Sequence, residues 1–73
     1  MIRVVIVEDD LNIAGLHKRF LEKLGGFDVL AIGTNVRDSI DMIRELMPDL
    51  VLLDIYLKDG SGLDIVSEIR SMD

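Results

Sequence analysis

The sequence predicts an α/β fold, a parallel sheet with helices packed on both faces. Three observations predict it. β-branched apolar runs alternate with helical stripes in the order β-α-β-α-β-α. Each run is almost wholly apolar, as in strands covered on both sides. Alternating strands and helices need right-handed crossovers, which make the strands parallel and bring their carboxyl ends to one edge. The 73 residues allow one domain at most, and 49% hydrophobic with 30% charged residues is a globular composition.

Ile2 to Val7 (IRVVIV) is the first strand, followed at once by Glu8, Asp9 and Asp10. Over Leu11 to Leu24 the period becomes helical. Ile13, Leu16, Phe20 and Leu24 form one apolar stripe, Asp10 is placed to cap the helix start, and Gly25-Gly26 marks its end. Phe27 to Ile32 is the second strand, and Gly33-Thr34 turns the chain. Val36, Ile40, Ile43 and Met47 make the second helical stripe, with Asn35 or Thr34 as cap and Pro48 as stop. Leu50 to Leu53 (LVLL) is the third strand and ends in Asp54. Ile55 to Gly62 reads as a loop with a turn at Asp59-Gly60. Leu63 to Arg70 starts a third helix, with Leu63, Val66 and Ile69 or Arg70 around one face.

Composition excludes several functions. There is no Cys, so no disulfide, thiolate nucleophile or Cys-ligated zinc. Fourteen Asp/Glu against eight Lys/Arg give net −6, a surface that a phosphate backbone repels. The longest apolar runs are four residues, too short to span a membrane. Met1 leads directly into apolar residues and the charges after Arg3 are acidic, unlike a secretory signal. A cytoplasmic location is expected. Gly60 and Gly62 belong to no phosphate-cradling motif and read as turn residues.

The parallel topology brings Glu8-Asp9 and Asp54 together at the carboxyl ends of adjacent strands, where open α/β sheets place their ligands. Carboxylates so close repel one another, and a hard divalent cation with oxygen ligands, such as Mg2+, relieves that. Asp54 can also act as a nucleophile and form an aspartyl phosphate. The bland alternative is that acids after buried strands only cap helices, and Asp10, directly before Leu11, is read that way.

VVIVEDD followed by an amphipathic helix, then PDLVLLDIYLKDGSGLDIV, resembles the receiver domain of bacterial two-component response regulators. The resemblance runs from Ile2 to about Arg70 and rests on the two motifs together. It implies a three-layer flavodoxin-like fold with strand order 2-1-3 for the strands present. It also implies that Asp54 is the phosphoacceptor, that Asp9 binds Mg2+ directly, and that Glu8 acts through a metal-bound water. Tyr56, two residues after Asp54, would supply a backbone carbonyl to the metal. The implied partner is a sensor histidine kinase that docks near the first helix, and the implied output is transcriptional, through a DNA-binding domain outside this chain. The HKRF stretch (His17 to Phe20), Gly26-Phe27 and LLDIYLKDGSGLDI are most similar to regulators of citrate and C4-dicarboxylate metabolism. The phosphohistidine of the family belongs to the kinase, so His17 is read as a surface residue.

Departures from the family pattern set further expectations. Lys58 stands where the family commonly has Pro, and is read as a solvated loop lysine. The family's fourth and fifth sheet strands, with their Ser/Thr and Lys, have no counterpart. Strand starts at Ile2, Phe27 and Leu50 recur every ~20–26 residues, so five units come to about 115–125 residues, an ordinary domain size. Residues 1–73 are thus expected to form about the first 60% of a receiver, impaired in phosphorylation and exposing the LVLL edge to self-association. At most, self-catalysed phosphorylation and dephosphorylation are expected of it. Two other readings stand beside this one. One is a phosphohydrolase with an aspartyl nucleophile, although such enzymes carry a second Asp where Tyr56 stands here. The other is a self-associating module without signalling function.

Overall fold

The computed structural model describes residues Met1 to Met72. Its order is β1 (Ile2–Val7), α1 (Leu11–Leu24), β2 (Phe27–Gly33), α2 (Val36–Leu46), β3 (Leu50–Leu53), β4 (Tyr56–Leu57), β5 (Gly60–Ser61) and α3 (Gly62–Ser71). The first three strands form a parallel sheet ordered β2-β1-β3, and β4 and β5 pair as a small antiparallel hairpin. This is the expected flavodoxin-like arrangement of strands and helices. Among the described residues, no helix is long and apolar enough to cross a membrane.

β1 is central because both of its faces are apolar. Val4 and Ile6 point to one side with Ala14 of α1, against Leu21, Phe27, Val29 and Ile32. Val5 and Val7 point to the other side with Ile43, Leu57 and Ile65, against Val36, Ile40, Leu46, Val51, Leu53, Ile69 and Met72. The alternation is that of a strand, and the result is three layers, with α1 on one face and α2 and α3 on the other. β2 slips by one residue against β1 between Val4 and Val5. The extra residue shifts the parity, so Phe27, Val29 and Ile32 share a face despite their odd spacing.

The caps follow the local sequence. Asp10 accepts hydrogen bonds from the Asn12 and Ile13 N–H groups at the start of α1. Asn35 accepts from Asp38 N–H at the start of α2, and Ser61 from Leu63 N–H at the start of α3. α2 ends at Leu46, ahead of Pro48, with Met47 in the left-handed region at φ 48°. The Arg3 guanidinium closes that end by donating to the Met47 and Leu46 carbonyls at 2.9 and 2.7 Å.

Four sequence expectations are corrected. The stripe Ile13, Leu16, Phe20 and Leu24 does not face the sheet; Leu16 is 56% and Phe20 63% exposed. α1 rests on β1 and β2 through Ala14 and Leu21, because the small alanine lets the helix axis approach the strands. In α3 the inward positions are Ile65 and Ile69, with Met72 just past its end also packed inward, and Leu63 is exposed. Met47 of the α2 stripe is also exposed, since the helix has ended there and Leu46 packs instead. The expected loop Ile55 to Gly62 closes as the β4–β5 hairpin, with Lys58 and Asp59 at its turn.

β3 lies at the edge of the sheet, and Leu50 and Leu52 on its α1 side are exposed. Together with the outward stripe of α1 they form an apolar face on that side of the molecule.

Candidate functional site

β1 and β3 run in register from Val4↔Leu50 to Val7↔Leu53, so the residues just past their ends are neighbours. Asp54 N–H donates to Val7 O at 2.9 Å, and Glu8 N–H donates to Gly33 O at the same distance. The end of β1 is therefore fixed from both sides. Glu8, Asp9 and Asp54 each offer a carboxylate oxygen, and these oxygens lie within 4.8 Å of one another. Asp10, the fourth acid of the region, points its carboxylate into the N-terminus of α1 and is only a cap.

The hairpin covers one side of the cluster. Tyr56 N–H donates to Asp54 Oδ1 at 3.0 Å, and Lys58 N–H donates to Asp9 Oδ2 at 3.1 Å. The Tyr56 side chain is 87% exposed and stands beside the site rather than in it. Gly62 permits the approach. Its N–H donates to Ile55 O at 2.7 Å, and a Cβ there would fall 2.5 Å from the Asp54 carbonyl and 2.8 Å from Ile55 Cα.

Glu8 is 7% exposed. Burial raises its carboxyl above the ordinary value of 4.5, and hydrogen bonding with Asp54 and Asp9 and the charge of Asp54 push the same way. The Asp10 N–H, 3.4 Å from Glu8 Oε2, pulls in the opposite direction without cancelling this. The folded chain therefore holds the Glu8 proton to higher pH than the unfolded chain does. Between the unfolded value and the raised folded value the native state binds more protons, so stability falls as pH rises through that window. Glu8→Gln, neutral throughout, is expected to remove this fall and to be more stable than the unsubstituted chain at neutral pH without metal. Urea unfolding at a series of pH values from about 4 to about 8 checks it.

Three hard oxygen donors crowded at a strand edge, one of them disfavoured as an anion, suit a divalent cation that would neutralise them. Residues 4–73 match the response regulator receiver domain. The chain belongs to that family.

Relatives across most of the receiver are transcriptional regulators. CitT of Bacillus subtilis is 37% identical over 71 residues, 97% of this chain and 31% of CitT. A probable C4-dicarboxylate response regulator, DctR of Halalkalibacterium halodurans, is 37% identical over 70 residues, 96% of this chain and 30% of that protein. These bear out the similarity to C4-dicarboxylate regulators. The chain spans about a third of the length of such curated relatives. Among solved structures, the MaeR response regulator bound to beryllium trifluoride superposes with a TM-score of 0.89 at 38% identity, covering 99% of this chain and 59% of that one. A sulfate-bound mutant of MaeR gives 0.87 at 35% identity, with the same coverage.

The receiver sequence located the acids correctly in space: Glu8, Asp9 and Asp54 converge as the topology required. His17 is exposed, as expected. What the sequence missed is the clamp around them. Lys58 acts through its main-chain N–H, and Asp59 accepts from Val36 N–H at the start of α2, at 2.9 and 3.2 Å from its two oxygens. An Asp next to Gly signals a turn, but nothing in that dipeptide signals which helix the carboxylate will reach.

Proposed function

We propose that this receiver takes a phosphoryl group onto Asp54 from a sensor histidine kinase, with Mg2+ held by Asp9, Asp54 and the Tyr56 carbonyl and, through water, by Glu8. The observation that carries this reading is the convergence of the three carboxylates beside the end of β3. An Asp54 carboxylate oxygen attacks the phosphorus of the donor. The bond to the imidazole nitrogen breaks, the imidazole leaves, and an acyl phosphate forms on Asp54. Asp54 is only partly buried, so the donor can reach it. A bound Mg2+ would neutralise the phosphoryl oxygens as charge develops on them. Asp9 and Glu8 would hold that cation in place, and the hairpin fixes Asp54 through the Tyr56 N–H. The beryllium trifluoride bound to MaeR, a tetrahedral mimic of the phosphoryl group of an acyl phosphate, supports the same chemistry for this chain.

The added phosphate, close to two negative charges, would bias a signalling surface and so a transcriptional output. A cytoplasmic setting and a DNA-binding domain elsewhere in the protein follow from this reading. The coverage of 59% of the MaeR chain and the apolar face of α1 and β3 support residues 1–73 being the first part of a receiver. Later strands, with their Ser/Thr and Lys, would then complete the site, and phosphorylation of residues 1–73 alone would be slow. The β3 edge would favour self-association. A phosphohydrolase is disfavoured because Tyr56 occupies the position of its second Asp.

Native mass spectrometry with acetyl phosphate and Mg2+ tests the reading. The expected result is a single phosphoryl adduct, formed more slowly than on a receiver with all five sheet strands and absent from Asp54→Ala. An adduct retained in Asp54→Ala would contradict the assignment, and a rate equal to that of a five-stranded receiver would contradict the impairment.

A further inference from the structure

The carboxyl edge of the sheet is crowded with acids. The segments around the cluster are residues 8–11, 33–36 and 54–62, and they hold Glu8, Asp9, Asp10, Asp54 and Asp59. Asp64, in the first turn of α3, adds a further acid beside Gly60. Lys58 is the only Lys or Arg in those segments. Arg37, just inside α2, lines a groove with Asp41, Arg44 and Glu68 instead. Lys58 is exposed, and its main-chain N–H lies 3.1 Å from Asp9 Oδ2, so the residue stands at the rim of the cluster. The one ion pair among the described residues joins Arg44 to Glu68. The Lys58 ammonium is therefore unpaired, and its long flexible stem lets it move over the mouth of the site.

We propose that the Lys58 ammonium is a steering charge, which draws small dianionic acyl phosphates to Asp54 and weakens the hold of the same pocket on Mg2+. The inference rests on the phosphoacceptor reading above. In the transfer itself an Asp54 oxygen attacks phosphorus, the bond from phosphorus to the acyl oxygen breaks, and a carboxylate leaves. The difficulty lies in the approach, because a chain of net charge −6 repels a dianion. The three carboxylates, when ionised, and one divalent cation still sum to one negative charge at the site. Lys58 offsets that charge from the rim, without occupying the place of the donor or the metal. A free acyl phosphate has no protein surface with which to dock, so its encounter rate depends on this local field. The same ammonium repels Mg2+, so its effects on the anion and on the cation have opposite signs.

Two measurements test the two signs. One is a calorimetric Mg2+ titration. The other is the initial rate of adduct formation with acetyl phosphate, with Mg2+ saturating for each variant. At about 0.1 M salt, Lys58→Ala is expected to bind Mg2+ about twofold more tightly and to be phosphorylated about twofold more slowly. That is the size of one unit charge acting on a divalent one across ~8 Å of screened water. Lys58→Glu is expected to change both quantities in the same directions by about fourfold, since it reverses the charge. Lys58→Arg is expected to match the unsubstituted chain. Both ratios should approach one at about 1 M KCl, where the screening length is only about 3 Å. A folding defect weakens binding and slows the reaction together, and salt does not abolish it. Equality of Lys58→Ala and the unsubstituted chain in either quantity would overturn the proposal alone. So would affinity and rate that fall or rise together, or differences that persist at high salt. Absence of an adduct on the unsubstituted chain would overturn the phosphoacceptor reading, and this inference with it.

Discussion

Gly62→Ala is expected to destabilise the chain by about 2–3 kcal/mol or more, the range of an overpacked site that cannot relax. The cause is steric and local. A Cβ at this position would fall 2.5 Å from the Asp54 carbonyl oxygen and 2.8 Å from Ile55 Cα. Both are backbone atoms, so no side chain can swing away. Relief needs the Asp54–Ile55 segment to separate from the start of α3, which stretches the Gly62 N–H bond to Ile55 O. That segment carries Asp54, so the substitution is expected to weaken cation binding along with stability. Urea denaturation at neutral pH checks the first effect. A midpoint within error of the unsubstituted chain would mean that the β3–β4 connection is looser than its contacts indicate.

Asp9→Asn is expected to lower Mg2+ affinity by at least about tenfold, the usual minimum when a site loses a supporting group, let alone a charged ligand. It keeps the shape of the side chain and an oxygen to accept from Lys58 N–H. What it removes is one of three negative charges whose oxygens lie within 4.8 Å of one another. The metal-free chain is expected to become more stable, because one of three crowded carboxylate charges is gone. Affinity and metal-free stability should thus move in opposite directions, a pattern that simple misfolding cannot produce. Calorimetric titration with Mg2+ and urea unfolding without it measure the two arms.

Much of this was legible in the residues because strands announce themselves by composition. IRVVIV and LVLL are apolar on both faces, and a parallel sheet then forces Glu8, Asp9 and Asp54 to one edge. Helix faces were less legible. In α1 the large apolar residues Leu16 and Phe20 point away from the sheet, while Ala14 and Leu21 make the contact. A stripe identifies a face that avoids water, but not which of two neighbours covers it. The clamp on the site was not legible at all. Every residue other than proline has an N–H, so Lys58 carries no mark of its bond to Asp9. Asp59 reads as a turn former whether or not α2 lies within reach.

Glu8, Asp9 and Asp54 are proposed to form one divalent-cation pocket and not merely part of an acidic surface on a chain of net charge −6. Backbone NMR during a Mg2+ titration tests it most directly. Saturable shifts should concentrate at Glu8, Asp9, Asp54, Tyr56 and Lys58, with little change at Asp38, Asp41 and Glu45 on the exposed face of α2. Shifts spread evenly over the acids of both regions, rising without saturation, would contradict the pocket and with it the assignment of Asp54 as a metal-assisted phosphoacceptor.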